Sequence, residues 1–337
     1  MAGSGTAHMR EGEPRVLTVD DLVMEFPAGR GQKVHAVSGV SFDLTDGETL
    51  GLVGESGCGK SSAGRALMQL PPPTSGSVRL DEVEVTKLKP EALRRTRTRM
   101  QMILQDPISS LNPRRKVKDL VAEGPSIWGN RDRAATRKKV EETLQAVGLD
   151  PATVWDRRPQ EMSGGQCQRV CIARALMLDP QVLICDEPVS SLDVSVQAQI
   201  LNLLEEAKAR YGLSLLFIAH DLAVVKNISD RVMVMYLGKV CEVAPAEALH
   251  HRAVHPYTRL LLDSIPDPDP YRAADQPEGQ REQAGELPSP LAPPSGCRFR
   301  TRCPLATERC TNEEPQLREV GPGHYVACHN SDAPPEV

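Results

Sequence analysis

The segment Gly54-Glu-Ser-Gly-Cys-Gly-Lys-Ser61 follows the short apolar run Thr49-Leu-Gly-Leu-Val53 and precedes small and apolar residues that end at Leu67. It has the form G-x-x-x-x-G-K-[ST], in which glycines let successive backbone N–H groups face one concavity. A helix that starts there adds a positive dipole end for an anion. We therefore predict a buried strand, a phosphate-binding loop and a helix, with Lys60 on the β- and γ-phosphates and the Ser61 hydroxyl on Mg²⁺.

A second phosphate-site element lies far downstream. The run Gln181-Val-Leu-Ile-Cys-Asp186 is a buried-strand pattern that ends in an acid and is followed at once by Glu187. A pair of acids at a strand end often only caps the strand. In a chain that also carries a phosphate loop, we predict that Asp186 holds magnesium and that Glu187 polarises the attacking water as general base.

Two further apolar runs end in a polar residue. Gln105 follows Met100-Gln-Met-Ile-Leu104, and His220 follows Leu215-Leu-Phe-Ile-Ala219. Ligands of open α/β sheets gather at the carboxyl ends of strands, so both side chains are candidates for the same site. The fold class predicted from these units is α/β.

The segment Met162-Ser-Gly-Gly-Gln166 opens a helical run that continues to Met177. A Ser-Gly-Gly turn at a helix start offers a hydroxyl and bare backbone N–H groups to an anion. Together with the phosphate loop, this segment resembles the signature of ABC ATPases. A P-loop kinase or GTPase would not need it.

A narrower resemblance is to the ATPases of oligopeptide and dipeptide importers, whose relatives include nickel importers. It rests on Leu104-Gln-Asp-Pro-Ile-Ser-Ser-Leu-Asn-Pro113, on Asp186 to Leu204, on His255-Pro-Tyr-Thr258 and on the cysteine-bearing tail. The resemblance implies an ABC-type P-loop ATPase domain with a mixed sheet core, an antiparallel β subdomain, a helical subdomain and a small cysteine-rich appendage.

The resemblance also implies residue roles. Glu187, His220 and Gln105 would be catalytic, with Ser61 and Gln105 as magnesium ligands, and Asp193 would bridge two subunits. Phe26 would stack on adenine, with His35 as an alternative. The nucleotide would be bound by Gly54, Glu55, Ser56, Gly57, Cys58, Gly59, Lys60, Ser61, Ser62 and Asp186 and, from a partner subunit, by Ser163, Gly164, Gly165 and Gln166.

Composition shifts divide the chain into segments. We predict a flexible tail over residues 1–14 and a nucleotide-binding domain over 15–263, whose helical subdomain spans about 106–162. Residues 264–295 are rich in proline and read as an extended linker. A cysteine-rich domain follows over 296–330, and 331–337 form a second tail.

The charge balance and hydropathy exclude several classes of protein. A net charge of -5 does not suggest a nucleic-acid role. No stretch approaches the roughly 18 to 20 apolar residues of a membrane span, and the start of the chain lacks the apolar core of a signal peptide. We expect a peripheral protein at the cytoplasmic face of the cell membrane, held there by partners.

The tail contains four of the nine cysteines, at Cys297, Cys303, Cys310 and Cys328. So short and polar a segment needs a staple, and disulfides are disfavoured in the cytosol. Four thiolates suit a [4Fe–4S] cluster or zinc, although the tight C-x2-C spacing of zinc knuckles is absent. Wider spacing and the family resemblance favour the cluster, and free or disulfide-forming thiols remain the third alternative. His329 is a weaker candidate ligand.

The resulting expectation is an ATP-hydrolysing subunit that powers a peptide importer through ATP-driven dimerisation. Its implied partners are two transmembrane permease subunits, a second and paralogous ATPase and, indirectly, an extracytoplasmic substrate-binding protein. The alternatives are an importer of nickel, metal chelates or glycosides, and a soluble ABC ATPase outside transport. ATP and Mg²⁺ are the expected cofactors.

Overall fold

The computed structural model describes residues 5–10, 12–29, 31–129, 132–265 and 287–331. Along these residues the strands are β1 (Arg15–Pro27), β2 (Lys33–Thr45), β3 (Thr49–Val53), β4 (Ser75–Leu80), β5 (Val83–Glu84), β6 (Met100–Ile103), β7 (Val182–Asp186), β8 (Ser214–Ala219), β9 (Arg231–Tyr236), β10 (Lys239–Pro245), β11 (Arg318–Gly321) and β12 (His324–Val326). The helices are α1 (Lys60–Leu67), α2 (Pro90–Arg99), α3 (Val117–Val121), α4 (Glu123–Ile127), α5 (Arg133–Ala146), α6 (Pro151–Val154), α7 (Gly164–Leu176), α8 (Val194–Tyr211), α9 (Leu222–Lys226), α10 (Ala246–Arg252), α11 (Pro256–Asp263) and α12 (Glu308–Asn312).

The chain divides into two compact units. The first unit comprises the described residues of Met1–Leu44, Thr49–Thr86 and Ala219–Val337. The second comprises Thr45–Glu48 and Lys87–Ile218. The phosphate loop therefore belongs to the first unit, and the acids after β7 belong to the second.

The first unit contains a four-stranded sheet in the order β2-β1-β4-β5. The β1–β4 and β4–β5 pairs are antiparallel. In the β1–β4 register Leu17 lies opposite Leu80 and Val19 opposite Val78, and all four side chains are buried. One face of this sheet is thus apolar, as expected for an antiparallel sheet with a single packed face.

A second set of strands in the first unit follows the order β11-β12-β10-β9-β3. The pair β3–β9 is parallel, whereas β9–β10, β10–β12 and β11–β12 are antiparallel. The hairpin β11–β12 comes from the cysteine-rich tail, and Glu242 of β10 lies opposite Val326 of β12. The tail therefore extends the sheet that carries the phosphate loop, an arrangement that the sequence analysis did not predict.

The second unit is built on the parallel strands β6, β7 and β8, with β7 in the middle. All residues of β7 and β8 are buried, which confirms the predicted buried strands. Several helices lie in the predicted helical segment 106–162, and the longest of them is α5. The Asp132 side chain caps α5 by accepting from the N–H of Ala135, and Gly148, with φ of 70°, follows its end.

The described part of the predicted N-terminal tail is held by specific contacts. His8 is buried, and its Nε2 lies 2.9 Å from the carbonyl oxygen of Ser41. Arg10 pairs with the buried Asp43 at 2.7 Å. Within the described ranges, no helix combines the length and apolar character that a membrane crossing requires. Most of the predicted linker, residues 266–286, and most of the second tail, residues 332–337, lie outside the described residues.

Candidate functional site

The phosphate loop lies between β3 and α1, as the sequence predicts. Gly54, Gly57 and Gly59 all have positive φ, at 158°, 82° and 104°. A Cβ atom on Gly54 would lie 2.1 Å from the carbonyl oxygen of Met235, and one on Gly59 would lie 2.0 Å from that of Ala36. Only glycine fits at these two positions, because the neighbouring backbone occupies the space of a side chain.

Lys60 lies inside this loop and is 4% exposed. Its Nζ donates to the carbonyl oxygens of Gly54 at 2.6 Å and Glu55 at 3.0 Å. These bonds stabilise the loop and keep the ammonium group beside its backbone. A buried ammonium at the start of a helix is suited to bind phosphate oxygens. Ser61 and Ser62 follow in the first turn of α1 and are half-buried.

The other residues of the loop differ in exposure. Ser56 is exposed, whereas Cys58 is buried, and burial raises the pKa of the Cys58 thiol. Glu55 is held at two points. Its N–H donates to the hydroxyl oxygen of Tyr257 at 2.8 Å, and its carboxylate accepts two hydrogen bonds from Arg302.

Neither partner of Glu55 could be predicted from the sequence. Tyr257 lies in the stretch His255–Thr258, which carries part of the family resemblance without an assigned role. Arg302 is 247 residues from Glu55 in the chain, and no local pattern connects the two. A contact of this kind is visible only in the folded chain.

The adenine candidates lie in the antiparallel sheet of the first unit. Phe26 is half-buried near the end of β1, and His35 is half-buried in β2. The Nδ1 of His35 lies 3.0 Å from a carboxylate oxygen of Glu25. His220 also belongs to this unit; it is exposed and directly precedes Asp221, the cap of α9. The roles of these three side chains stay predictions.

In the second unit, the acids after β7 meet Gln105. Asp186 is buried at the end of β7, and Glu187 follows with a left-handed φ of 48°. The Glu187 N–H donates to the carbonyl oxygen of Ile218 at 2.9 Å, which holds the turn. The Nε2 of Gln105 donates to Oε2 of Glu187 at 2.9 Å. A residue other than glycine adopts this backbone conformation at a cost of about 1 kcal/mol, and such costs concentrate at functional sites.

The Ser-Gly-Gly segment forms the start of α7. The Ser163 hydroxyl oxygen accepts from the Gln166 N–H at 3.3 Å, and the Ser163 N–H donates to Gln166 Oε1 at 3.0 Å. This is a reciprocal capping box. A Cβ on Gly165 would come within 2.7 Å of a Val196 methyl group. Gly164 lies between Ser163 and Gly165 in the first turn.

Two exposed caps stand at helix starts in this unit. Ser163 precedes α7 and Asp193 precedes α8, and both residues are exposed. The start of α7 combines small residues with a helix dipole, which is the arrangement that binds anions. Gln166 is engaged in the capping box, so its amide stabilises the helix start.

The four tail cysteines belong to the first unit. Cys310 is buried and the other three are half-buried. The Cys297 N–H donates to the carbonyl oxygen of Cys310 at 2.8 Å. Burial and then the neighbouring cysteines raise the pKa of Cys297 to about 12 and that of Cys303 to about 11. The thiols are therefore close enough to influence one another.

This arrangement does not confirm the predicted iron–sulfur cluster. Among the described residues, no group of three or more His, Cys, Asp or Glu side chains is arranged to hold a metal ion. The His329 Nε2 lies 3.1 Å from the carbonyl oxygen of Glu313, so its ring is already engaged.

The other five cysteines lie in the nucleotide-binding domain and are all buried. Burial raises the pKa of each thiol, as expected of cysteines that pack as small apolar side chains. They are Cys58, Cys167, Cys171, Cys185 and Cys241.

Comparison with protein families identifies two matching regions. Residues 37–190 match the family described as ABC transporter. Residues 241–310 match the family described as oligopeptide/dipeptide transporter, C-terminal region. The second match begins in β10 and reaches into the tail. It thus crosses the boundary that composition suggests at residue 296.

Curated relatives cover nearly the whole chain. The oligopeptide transport ATP-binding protein OppF of Escherichia coli is 46% identical over 331 residues, which is 96% of this chain and 98% of OppF. The oligopeptide transport ATP-binding protein AppF of Bacillus subtilis is 46% identical over 324 residues, 93% of this chain and 97% of AppF.

Solved structures share the fold. CbiO1 from Clostridium perfringens, part of the ABC transporter complex cbiONQ, superposes with a TM-score of 0.63 at 27% identity, over 71% of this chain and 92% of cbiO1. The ATP-binding cassette MJ0796, a dimer bound to ADP and Pi, gives a TM-score of 0.62 at 26% identity over 68% of this chain and 98% of the cassette. These likenesses confirm the predicted α/β fold class with its parallel and antiparallel sheets. The chain therefore belongs to the ABC transporter ATPases, in the branch of the oligopeptide transport ATP-binding proteins.

Proposed function

We propose that this chain binds and hydrolyses ATP to power the import of dipeptides or oligopeptides. The observation that carries the proposal is the phosphate loop, in which Gly54 and Gly59 admit no side chain and Lys60 is buried against the loop backbone. The match of residues 241–310 to the oligopeptide/dipeptide transporter region supports peptide as the cargo.

The roles in hydrolysis follow the predicted residues. The phosphate loop would bind the triphosphate, and Ser61, Gln105 and Asp186 are the residues that would hold Mg²⁺, which would neutralise charge on the phosphates. Glu187 polarises the attacking water, and the hydrogen bond from Gln105 orients its carboxylate. His220 contacts the γ-phosphate, and Phe26 stacks on adenine.

A second ATPase subunit completes the mechanism. The exposed start of α7 would contact the γ-phosphate of ATP held by that partner, and Asp193 would bridge the two subunits. The exposure of Ser163 and Asp193 supports this assignment, and the MJ0796 cassette is itself a dimer. ATP would join the two subunits head to tail, and hydrolysis would release them. We favour a paralogue as the partner.

The transport complex would also contain two transmembrane permease subunits, which the helical segment 106–162 would contact at the cytoplasmic face of the membrane. An extracytoplasmic binding protein would supply the peptide. Nickel, metal chelates and glycosides are the alternative cargoes.

Reconstitution tests the transport function. The chain is co-expressed with two permeases and a second ATPase, purified and placed in proteoliposomes, and uptake of labelled di- and tripeptides is measured with and without ATP. ATP-dependent peptide uptake that is lost in Lys60→Ala supports the proposal. Uptake of nickel or a glycoside, without uptake of peptide, would refute peptide as the cargo and leave the transport role in place. Recovery of the chain only with nucleic acid would refute the transport role.

We also propose that Cys297, Cys303, Cys310 and Cys328 bind a [4Fe–4S] cluster with a structural role. The support is that the four cysteines lie in one short segment of the first unit, where the Cys297 N–H donates to the carbonyl oxygen of Cys310 at 2.8 Å. Bound iron would convert the thiols to thiolates and staple a tail too small for its own core. Iron, zinc and acid-labile sulfide are measured after anaerobic purification. One zinc per chain, or no metal, would refute the cluster.

A further inference from the structure

An ion pair connects the cysteine-rich tail to the phosphate loop. Arg302 Nη1 lies 2.8 Å from Glu55 Oε2, and Nη2 lies 3.0 Å from Oε1. Such a two-point contact between guanidinium and carboxylate is both strong and directional. The Arg302 side chain is 7% exposed and that of Glu55 is 28% exposed. The pair is therefore largely shielded from solvent screening.

Arg302 is held in place by its own segment of the tail. Its guanidinium carbon lies 5.8 Å from the ring centroid of Phe299 and 5.7 Å from that of Tyr236. The backbone N–H of Arg302 donates to the carbonyl oxygen of Phe299 at 2.9 Å, and this hydrogen bond closes a turn just before Cys303. The side chain is thus preorganised to receive Glu55.

The same aromatic cluster reaches the backbone of the loop. Tyr257 packs edge-on against Tyr236, with ring centroids 4.7 Å apart, and Phe299 lies 5.4 Å from Tyr257. The Tyr257 hydroxyl accepts from the Glu55 N–H. Glu55 is therefore fixed at its backbone by α11 and at its carboxylate by the tail.

The electrostatic consequence concerns ATP. Glu55 is the second residue of a loop that must receive a triphosphate, and a bare carboxylate there repels that anion. The positive charge of Arg302 compensates that of the carboxylate, and the two hydrogen bonds fix the carboxylate against the guanidinium. The repulsion of ATP by Glu55 is thereby reduced. We propose that Arg302 is a positioning residue that sets the ATP affinity of the phosphate loop from the cysteine-rich tail. The inference rests on the proposed binding of ATP at this loop.

A rescue experiment separates this electrostatic role from a structural one. Binding of a non-hydrolysable ATP analogue with Mg²⁺ to the full chain is measured by calorimetry for wild type, Arg302→Ala, Glu55→Gln and the double variant. We expect Arg302→Ala to raise Kd about tenfold, because it leaves the Glu55 charge uncompensated. Removal of that charge in the double variant should bring Kd back to within about twofold of Glu55→Gln.

Two further variants serve as controls for the effect of Arg302→Ala on Kd. Arg302→Lys keeps the charge without the two-point contact, so its Kd should lie between those of wild type and Arg302→Ala. Arg300→Ala is the matched control, since Arg300 lies in the same segment and donates to the carbonyl oxygen of Ser295. Its Kd should equal that of wild type. If Arg302→Ala does not fold, Arg302→Lys and its combination with Glu55→Gln provide the same comparison.

The outcomes are distinct. An unchanged Kd in Arg302→Ala, or an increase that Glu55→Gln does not reverse, would overturn the positioning role. A wild-type chain that binds no nucleotide would instead refute the proposed function. Hydrolysis by the complex adds a second readout, in which Arg302→Ala should raise KM for ATP and leave kcat within about twofold.

Discussion

Gln105 Nε2 donates to Glu187 Oε2 at 2.9 Å, although the two residues are 82 positions apart in the chain. Gln105 follows β6 and Glu187 follows β7, and these strands are parallel neighbours. Parallel pairing brings their carboxyl ends to one edge of the sheet, where their polar side chains meet. The amide thus orients the carboxylate that we propose as general base.

Replacement of Glu187 by Gln should abolish turnover while ATP still binds. The amide keeps the shape of the carboxylate and cannot accept a proton from water, so steady-state hydrolysis should fall at least about 100-fold. The variant should also accumulate as an ATP-bound dimer, which size-exclusion chromatography detects. Glu91→Gln in α2 is the control, because Glu91 is exposed and pairs with Arg95. Unchanged ATP turnover in Glu187→Gln would remove this residue from the catalytic role.

Loss of the Gln105 amide should affect chemistry more than binding. In Gln105→Ala the Glu187 carboxylate loses its donor, and we expect kcat to fall about tenfold with KM for ATP within about twofold. Gln101→Ala is the matched control, since Gln101 lies in β6 and donates to the carbonyl oxygen of Arg97. A rise in KM with unchanged kcat would show that Gln105 acts on binding instead.

Two glycines of the phosphate loop should differ in their tolerance of alanine. A Cβ on Gly59 meets the carbonyl oxygen of Ala36 at 2.0 Å, so the loop must shift and ATP binding should weaken more than about 100-fold. A Cβ on Gly57 meets nothing within 4 Å. The only cost of Gly57→Ala is the strain of a positive φ, about 1 kcal/mol, so ATP binding should weaken roughly tenfold at most. Equal Kd values for the two variants would contradict the steric argument.

The Ser163 hydroxyl should matter for both stability and dimerisation. Ser163→Ala removes the α7 cap, which costs about 1 kcal/mol, and also removes a group proposed to contact the partner's ATP. Asp132→Ala removes the equivalent cap of α5 and is the matched control. Both variants should lose similar stability in urea unfolding, whereas only Ser163→Ala should lower ATP-dependent dimerisation. A similar loss of dimerisation in both would assign the effect to helix capping alone.

Burial of His255 should make the fold sensitive to acid. Desolvation lowers its pKa from 6.5 to about 4 despite the nearby Glu242, and its Nδ1 accepts from the Tyr257 N–H as only an unprotonated nitrogen does. Between these pH values the unfolded chain binds more protons than the folded chain, so stability falls as pH drops from about 6.5 towards 4. The free energy of unfolding should decrease by roughly 2 kcal/mol from pH 8 to pH 5 on account of this group.

Urea unfolding at the two pH values checks the prediction. His255→Asn replaces the capping Nδ1 with an amide oxygen that can accept the same hydrogen bond and does not titrate, so the pH-dependent loss should be smaller by that amount. His8, whose pKa burial also lowers to about 4, accounts for a similar loss that persists in the variant. An identical pH dependence in wild type and His255→Asn would contradict the assignment.

Local sequence predicts much of the phosphate loop in the first unit. It also predicts most of the buried strands in both units. Strand β3, the glycine pattern and the start of α1 are adjacent in the chain, so their spacing carries the geometry. The buried runs β7 and β8 end at the polar residues that the sequence analysis selected. Local backbone preferences and apolar runs decide such elements without long-range information.

The cysteine-rich tail marks the limit of that reasoning. Its composition predicts a small appendage and its thiol spacing suggests a metal, but neither indicates that β12 pairs with β10 or that Arg302 reaches Glu55. The sequence by itself determined the nucleotide-binding motifs, because each is a short continuous segment with its own backbone geometry. Only the tertiary structure decided which side chains surround them, because strand pairing and burial bring together residues whose separation along the chain leaves no local signal.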